Sequence, residues 1–192
     1  VDDKGTRFYR KSLTKLADAV EHFNGRSLEF CAHLGDLIDR EWRSFDEIMQ
    51  PLARSRHRWH HLLGNHHFDV LDALKVKVPG RLGLAAERYR SFDHRDFRFV
   101  ILDTNDVSTY AHAGGTAERG AAEAELQRLT AAKLRQAKPW NGGIGAAQLA
   151  WFEHTCAEAR AGKRKVIVFA HHPVAPDNDH NVWNAAAVLA AI

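Results

Sequence analysis

The sequence has few of the features that mark secreted, membrane-bound or nucleic-acid-binding proteins. It contains only 2 cysteines, Cys31 and Cys156, which lie far apart, so a disulfide framework is not expected and a reducing, cytoplasmic compartment is favoured. No apolar run approaches the length of a membrane span, and the first residues, VDDKGTRFYRKSL, lack the pattern of a secretory signal. The net charge of +3 is too small to indicate a nucleic-acid or membrane partner.

What remains is the composition of an ordinary globular domain with an unusual amount of histidine. Hydrophobic residues make up 45% of the chain and charged residues 27%, which excludes a disordered protein. A length of 192 residues suffices for one substantial core. The 13 histidines are the most informative feature, because histidine is the commonest metal ligand.

Helical and strand patterns alternate along the chain. Helical spacing covers NVWNAAAVLAAI at the end and four earlier ranges, about 7–24, 42–54, 117–137 and 145–162. Strand patterns occur in SLEFCAHLGD, RWHHLLGN and KRKVIVFAHHP, and ERYRSFDHRDFRFVILDTND is typical of a hairpin. This order predicts an α/β layered fold. We expect one domain over residues 1–192, with a cap or insertion at about 108–145.

Three of the apolar runs end in side chains that can bind a metal ion. The three sets are Asp36 with Asp39, Asn65 with His66 and His67, and His171 with His172. In α/β folds, ligands bind in the loops at the carboxyl ends of strands. Gly35 and Gly64 precede two of the sets and allow the backbone to come close to a bound group. Carboxylate, amide and imidazole ligands suit Mn²⁺, Fe²⁺ or Zn²⁺, and the near absence of thiolates argues against a structural zinc site.

Each of these residues also has a purely structural explanation. A Gly-Asp pair after a strand is commonly a turn or a helix cap, and Asp39 can form a local ion pair with Arg40. A single histidine at a strand end is more often a hydrogen-bonded structural residue, and we interpret His57, His60 and His61 as packing or solvated residues. The conjunction of three turns of the same design favours a metal site.

The motifs resemble those of a known enzyme superfamily. GDLIDR, GNHH and AHHP are similar to the GDxxDR, GNH(D/E) and strand-end histidine motifs of the calcineurin-like metallophosphoesterases. RFYRKSL, KPWNGGIG followed by QLAWFE, and AHHPVAPDNDHNVWN resemble the branch of manganese-dependent ADP-ribose/CDP-alcohol diphosphatases. The resemblance implies a four-layer α/β/β/α sandwich, in which two packed mixed sheets are flanked by helices.

The same resemblance implies a function and its cofactors. The implied enzyme is a phosphoesterase that hydrolyses a phosphoanhydride or phosphodiester bond by attack of metal-bound hydroxide. It would use two divalent metal ions, manganese first, with iron or zinc as alternatives. The implied substrates are nucleoside diphosphate derivatives of the ADP-ribose or CDP-alcohol type, with cyclic nucleotides as further candidates.

The resemblance also implies roles for individual residues. Asp36 would bridge the two metals, Asn65 and His171 would bind the second metal, and His66 would stabilise the transition state or protonate the leaving oxygen. The residues implied to contact substrate are Arg7, Asn141 and Gly142, with Gly143 in the same loop. The residues implied to orient His66 and the metal ligands, without binding the metal themselves, are Asp39, His67 and Asp69.

Three departures from the family pattern accompany this resemblance. His67 stands where the family has Asp or Glu, and the family's first DxH or DxQ motif and its late GHxH motif are absent. Both missing motifs belong just outside the two ends, so we expect a fragment of a longer chain whose fold is incomplete at both termini. The alternative is a degenerate binding protein on the same scaffold. A metal-storage protein ranks lower, because the histidines do not form a tract.

Overall fold

The computed structural model describes Gly5 and residues 8–85 and 87–192. The α-helices within these residues are α1 (Ser12–Asn24), α2 (Ser44–Leu52), α3 (Asp72–Lys75), α4 (Val78–Arg81), α5 (Ala117–Ala131), α6 (Ala146–Ala161) and α7 (Ala185–Ala190). Short 3₁₀ helices span Tyr9–Lys11 and Asn65–Phe68. The strands are β1 (Cys31–His33), β2 (Trp59–His61), β3 (Arg90–His94), β4 (Phe97–Ile101) and β5 (Lys165–Phe169).

The strands form two separate sheets. In the first, β1 and β2 pair in parallel, with His33 opposite His61. The second has the order β3-β4-β5, in which β3 and β4 form the predicted antiparallel hairpin and β5 runs parallel to β4. Because β1, β2, β4 and β5 belong to parallel pairs, each pair has both carboxyl ends at one edge of its sheet.

An aromatic cluster packs the two sheets against each other. The Phe30 ring, just before β1, lies 5.2 Å from Phe92 on β3 and 5.0 Å from Phe99 on β4. The imidazole of His60 on β2 stacks on Phe92, with ring centroids 4.0 Å apart and planes at 5°. Burial of these rings between the sheets supplies the apolar contact that neither short sheet has alone.

Helices cover the outer faces and complete the predicted four layers. On the side of the β1-β2 sheet, α2 buries Phe45 and Ile48 in a cluster with Leu63 and Phe68. On the other side, α6 and α7 bury Phe152 and Val188 against residues of β4 and β5. The predicted helices, strands and hairpin are therefore confirmed, and so is the α/β/β/α sandwich.

Two details differ from the sequence prediction. Helix α5 ends at Ala131, short of about residue 137, because Lys133 adopts a left-handed conformation with φ of 55°, which an α-helix cannot continue. Leu13, on the apolar side of α1, is 40% exposed and lines a cavity. Within the described residues no helix is long and apolar enough to span a bilayer.

Candidate active site and metal centre

The predicted site residues lie where the strands end. Asp36 follows β1, Asn65 and His66 follow β2, and His171 follows β5. The backbone between β1 and Asp36 turns sharply, with φ of 102° at Gly35 and 55° at Asp36. Both values lie in the left-handed region that glycine adopts freely and that aspartate tolerates better than most residues. The turn brings the Asp36 carboxylate toward the end of β2.

Two glycines allow the three turns to approach each other closely. A Cβ atom at Gly35 would lie 2.4 Å from the Nδ1 atom of His171, and one at Gly64 would lie 2.2 Å from a carboxylate oxygen of Asp36. Both distances are far below van der Waals contact. The glycines of the two motifs are therefore required for this arrangement.

Three side chains remote in sequence converge on one point. The Nε2 atom of His171 lies 3.0 Å from Oδ1 of Asn65 and 3.5 Å from Oδ2 of Asp36. The Asp36 carboxylate is also an acceptor for the backbone N–H of His66, at 3.1 Å. The structure thus brings together the three residues that the resemblance implies as metal ligands.

The hydrogen-bond partner of His171 indicates which ring nitrogen faces the cluster. Nδ1 of His171 lies 2.8 Å from the carbonyl oxygen of Leu34, which can only accept, so Nδ1 carries the proton of the neutral ring. Nε2 then directs a lone pair toward two oxygen atoms that also carry lone pairs. A cation bound at this point would complement the lone pairs of these three atoms.

The spacing and chemistry of the three donors fit a divalent cation. Ligands about 2.1 Å from an octahedral cation and at right angles to each other are about 3.0 Å apart, close to the separation of His171 and Asn65. One carboxylate, one amide oxygen and one imidazole form a set suited to Mn²⁺, Fe²⁺ or Zn²⁺. Among the described residues, no group of three or more His, Cys, Asp or Glu side chains could hold a metal, so the Asn65 amide is essential to this set.

His66 is oriented by Asp39. Its Nδ1 atom lies 2.9 Å from Oδ1 and 3.1 Å from the carbonyl oxygen of Asp39. Both partners accept, so the ring proton sits on Nδ1 and Nε2 carries the lone pair in the neutral ring. The Asp39 side chain is 11% exposed and also pairs with Arg40 at 3.0 Å. His66 lines a cavity of about 570 Å³, together with Asp36 and Asp39.

The ring of His67 faces the backbone of both metal-binding turns. Its side chain is fully buried and stacks on Phe45, with ring centroids 5.8 Å apart. Its ring nitrogens face the backbone N–H groups of Gly64 and Leu37, each at 2.9 Å. Burial, and to a lesser degree neighbouring histidines, lowers the pKa of His67 well below its ordinary value. Within the described residues, the hydrogen-bond contacts of the His67 ring are thus to the backbone of the metal-binding turns.

The residues implied to contact substrate lie in different settings. Arg7 falls outside the described residues. The Asn141 side chain is fully buried, and its amide donates to the carbonyl oxygens of Gln136 and Asp179 at 3.0 and 2.7 Å. A Cβ at Gly142 would lie 2.3 Å from the carbonyl oxygen of Thr104. Asn141 thus ties its loop to Gln136 and Asp179, and Gly142 allows the loop to pack against the backbone of Thr104. Their contact with substrate stays a prediction.

Two further residues of the predicted site are placed as follows. Asp69 is exposed, and the carboxylate that contacts His66 is that of Asp39. His172 is buried, with Nδ1 2.9 Å from Oγ1 of Thr104 and Nε2 3.1 Å from the carbonyl oxygen of Trp140. Burial is the main cause that lowers the pKa of His172 to about 3. His172 therefore braces the loop around Trp140.

A buried polar network behind the site was missed by the sequence reasoning. Asn105 donates from its amide to the carbonyl oxygen of Leu63 at 2.8 Å, and Asp103 accepts from the backbone of Asn105 at 3.0 Å. Asp103 also pairs with Arg88 at 2.6 Å. Burial raises the pKa of Asp103, against the opposing effect of Arg88. The signal was present in LDTND, which follows the apolar run of β4 in the same way as the other three strand ends.

Comparison with known proteins identifies a family pattern over almost the whole chain. The sequence profile of the calcineurin-like phosphoesterases matches residues 10–191. A dimetal phosphatase from Danio rerio has a similar fold, with a TM-score of 0.83 and 24% identity over 98% of this chain and 71% of that one. At this identity, the structural likeness supports the fold.

Curated relatives are similar over a comparable extent. The manganese-dependent ADP-ribose/CDP-alcohol diphosphatase of Homo sapiens is 27% identical over 97% of this chain and 65% of its own length. The Arabidopsis thaliana protein of the same name is 29% identical over 95% of this chain and 64% of its own length. The chain thus spans about two thirds of the length of these relatives.

Proposed function

We propose that this chain, which belongs to the calcineurin-like phosphoesterase family, is a metal-dependent hydrolase of phosphoanhydride or phosphodiester bonds. The observation that carries the proposal is the convergence of Asp36, Asn65 and His171. The Nε2 atom of His171 lies 3.0 Å from an oxygen of Asn65 and 3.5 Å from an oxygen of Asp36. Such a cluster is costly to bury unless a cation occupies it.

Two divalent metal ions are the proposed cofactors, and Mn²⁺ is the leading candidate because the relatives named above are manganese-dependent. Asp36, Asn65 and His171 would hold one ion, and Asp36 would be shared with the other. When bound, such ions supply Lewis-acid stabilisation of charge on phosphoryl oxygens and activation of the attacking water. Iron and zinc are alternatives with the same ligand preferences.

The chain's own residues supply orientation and proton transfer. Asp39 fixes the tautomer and direction of the His66 ring, because both of its contacts to Nδ1 are acceptors. Protonated on both nitrogens, His66 would donate from Nε2 to a phosphoryl or leaving-group oxygen. The backbone N–H of His66 holds the Asp36 carboxylate, which couples the position of this ring to that of the metal ligand.

The proposed substrate is a small nucleoside diphosphate derivative of the ADP-ribose or CDP-alcohol type. The relatives' names support this class, and the cavity of about 570 Å³ beside Asp36 has the size of a small-molecule site. Its wall combines Leu13, Leu37 and Ile48 with the polar site residues. The low net charge and the 2 cysteines support a small-molecule partner and a cytoplasmic location.

The test is Mn²⁺-dependent hydrolysis of ADP-ribose and of a generic aryl phosphodiester. Asp36→Asn should remain folded by circular dichroism but lose about 100-fold or more in kcat/KM, since several kcal/mol of charge stabilisation depend on the cation it holds. Asp18→Asn is the matched control, because Asp18 is exposed on α1, and it should keep full activity. Hydrolysis that survives Asp36→Asn contradicts the proposal. Binding of Mn²⁺ and nucleotide without turnover by the wild type would instead support a degenerate binding protein.

A further inference from the structure

The two turns that carry the proposed metal ligands each direct a backbone N–H group at the same side chain. The backbone N–H of Leu37, which follows Asp36, points at Nε2 of His67 at 2.9 Å. The backbone N–H of Gly64, which precedes Asn65, points at Nδ1 of the same ring at 2.9 Å. His67 is thus the common partner of both turns.

An imidazole cannot satisfy both of these donors. A neutral ring has a lone pair on one nitrogen and a hydrogen on the other, and a protonated ring has no lone pair at all. The ring therefore accepts a hydrogen bond from at most one of the two backbone N–H groups. The other backbone N–H group faces an N–H group of the ring. Because the His67 side chain is fully buried and packs on Phe45, the ring is shielded from bulk solvent.

We propose that His67 is a positioning residue whose ring, with its single hydrogen-bond acceptor, anchors only one of the two turns, either the Asp36 turn or the Asn65 turn. The metal-related part of this inference rests on the proposed function. A side chain with two acceptors at this position would anchor both turns, which would hold Asp36 and Asn65 more rigidly around a cation.

Three variants change the number of hydrogen-bond acceptors at position 67. His67→Leu offers no acceptor and His67→Gln offers one carbonyl oxygen, and neither is charged. His67→Glu matches the shape of glutamine and offers two carboxylate oxygens. The Leu–Gln pair therefore tests the anchoring at constant charge. The Gln–Glu pair adds the second acceptor oxygen together with a negative charge, so its effect is read from amide exchange in the metal-free chain.

The first measurement is amide hydrogen exchange in the metal-free, ¹⁵N-labelled chain. We expect the N–H groups of Leu37 and Gly64 to differ by about tenfold or more in exchange rate in the wild type, because a made hydrogen bond protects an amide. The ¹⁵N shifts of the His67 ring should show one neutral tautomer. His67→Glu should protect both amides. Equal protection of the two amides in the wild type would overturn the proposal, whether or not the glutamate variant folds.

The second measurement is the affinity for Mn²⁺ alone, by isothermal titration. Affinity should rise by about tenfold from the Leu to the Gln variant, which is typical when a group that orients a ligand is removed. Equal affinities of the Leu and Gln variants would overturn the positioning role. If the wild type itself binds no Mn²⁺, the proposed function fails, while the exchange measurement still decides whether His67 anchors one turn or two.

Discussion

The packing of Gly64 against Asp36 gives the sharpest prediction about this site. Gly64 has φ of −114° and ψ of 166°, an extended conformation that any residue can adopt. Replacement by alanine therefore costs nothing in backbone strain, and its effect comes from the added methyl group. That methyl would lie 2.2 Å from Oδ1 and 2.6 Å from the backbone nitrogen of Asp36.

The expected magnitude follows from these distances. Carbon atoms normally approach other heavy atoms to about 3.5 Å, so the Asp36 carboxylate must move by about 1 Å. Overpacking of this kind costs about 1–3 kcal/mol of stability. Because the displaced carboxylate is also a proposed metal ligand, we expect Gly64→Ala to weaken Mn²⁺ binding by about 10- to 100-fold.

Gly120→Ala provides the matched control. Gly120 lies inside α5, and a Cβ there meets no atom within 4 Å. The same chemical change should therefore stabilise the chain by about 0.5–1 kcal/mol, because alanine favours a helix over glycine, and should leave Mn²⁺ binding unchanged.

The assays are urea unfolding monitored by circular dichroism and titration with Mn²⁺. A Gly64→Ala variant with wild-type stability and wild-type Mn²⁺ affinity would refute the close approach of the two turns. Loss of stability without loss of affinity would refute the assignment of Asp36 as a ligand, while leaving the packing intact.

Two further predictions follow from other contacts. Asp39→Asn should lower kcat by about 10²-fold, the contribution typical of an oriented proton donor, because the contact to His66 Nδ1 at 2.9 Å loses its charge. Steady-state kinetics would measure this loss. An equal loss of Mn²⁺ affinity would contradict the role of Asp39 in orienting His66. His60 has its pKa lowered to about 4, first by burial and then by Arg58 and Arg90. The unfolded chain therefore binds a proton at higher pH than the folded chain does, and stability should fall by about 2 kcal/mol per such group between pH 7 and pH 4.5. His60→Phe, which keeps the ring stack on Phe92, should remove that share of the pH dependence in urea unfolding, and an unchanged pH dependence would count against the burial of a neutral His60.

The buried network around Asp103 was not predicted from the sequence pattern. The run FVILDTND has the same layout as the three recognised strand ends, an apolar strand followed at once by polar side chains. The amide of Asn105 holds the carbonyl oxygen of Leu63, one residue before Gly64. The sequence contained this fourth strand end, but not the information that its side chains turn inward to brace a neighbouring turn.

His67 shows a different limit of sequence reasoning. The resemblance placed His67 among the residues that support His66 and the metal ligands, at the position where the family has Asp or Glu. In a 3₁₀ turn, adjacent side chains point in different directions, and His67 points into the core beside Phe45 while His66 lines the cavity. Its partners, Leu37 and Gly64, could be identified only once the two turns were placed in space.

What the sequence alone determined are the properties set by near neighbours along the chain. Periodicity predicted the helices, strands and hairpin, and the glycines before Asp36 and Asn65 predicted sharp turns at two strand ends. Only the tertiary structure decided that Asp36, Asn65 and His171 converge within 3.5 Å. Such convergence depends on how two short sheets pack through Phe30, a through-space property that local spacing along the chain does not encode.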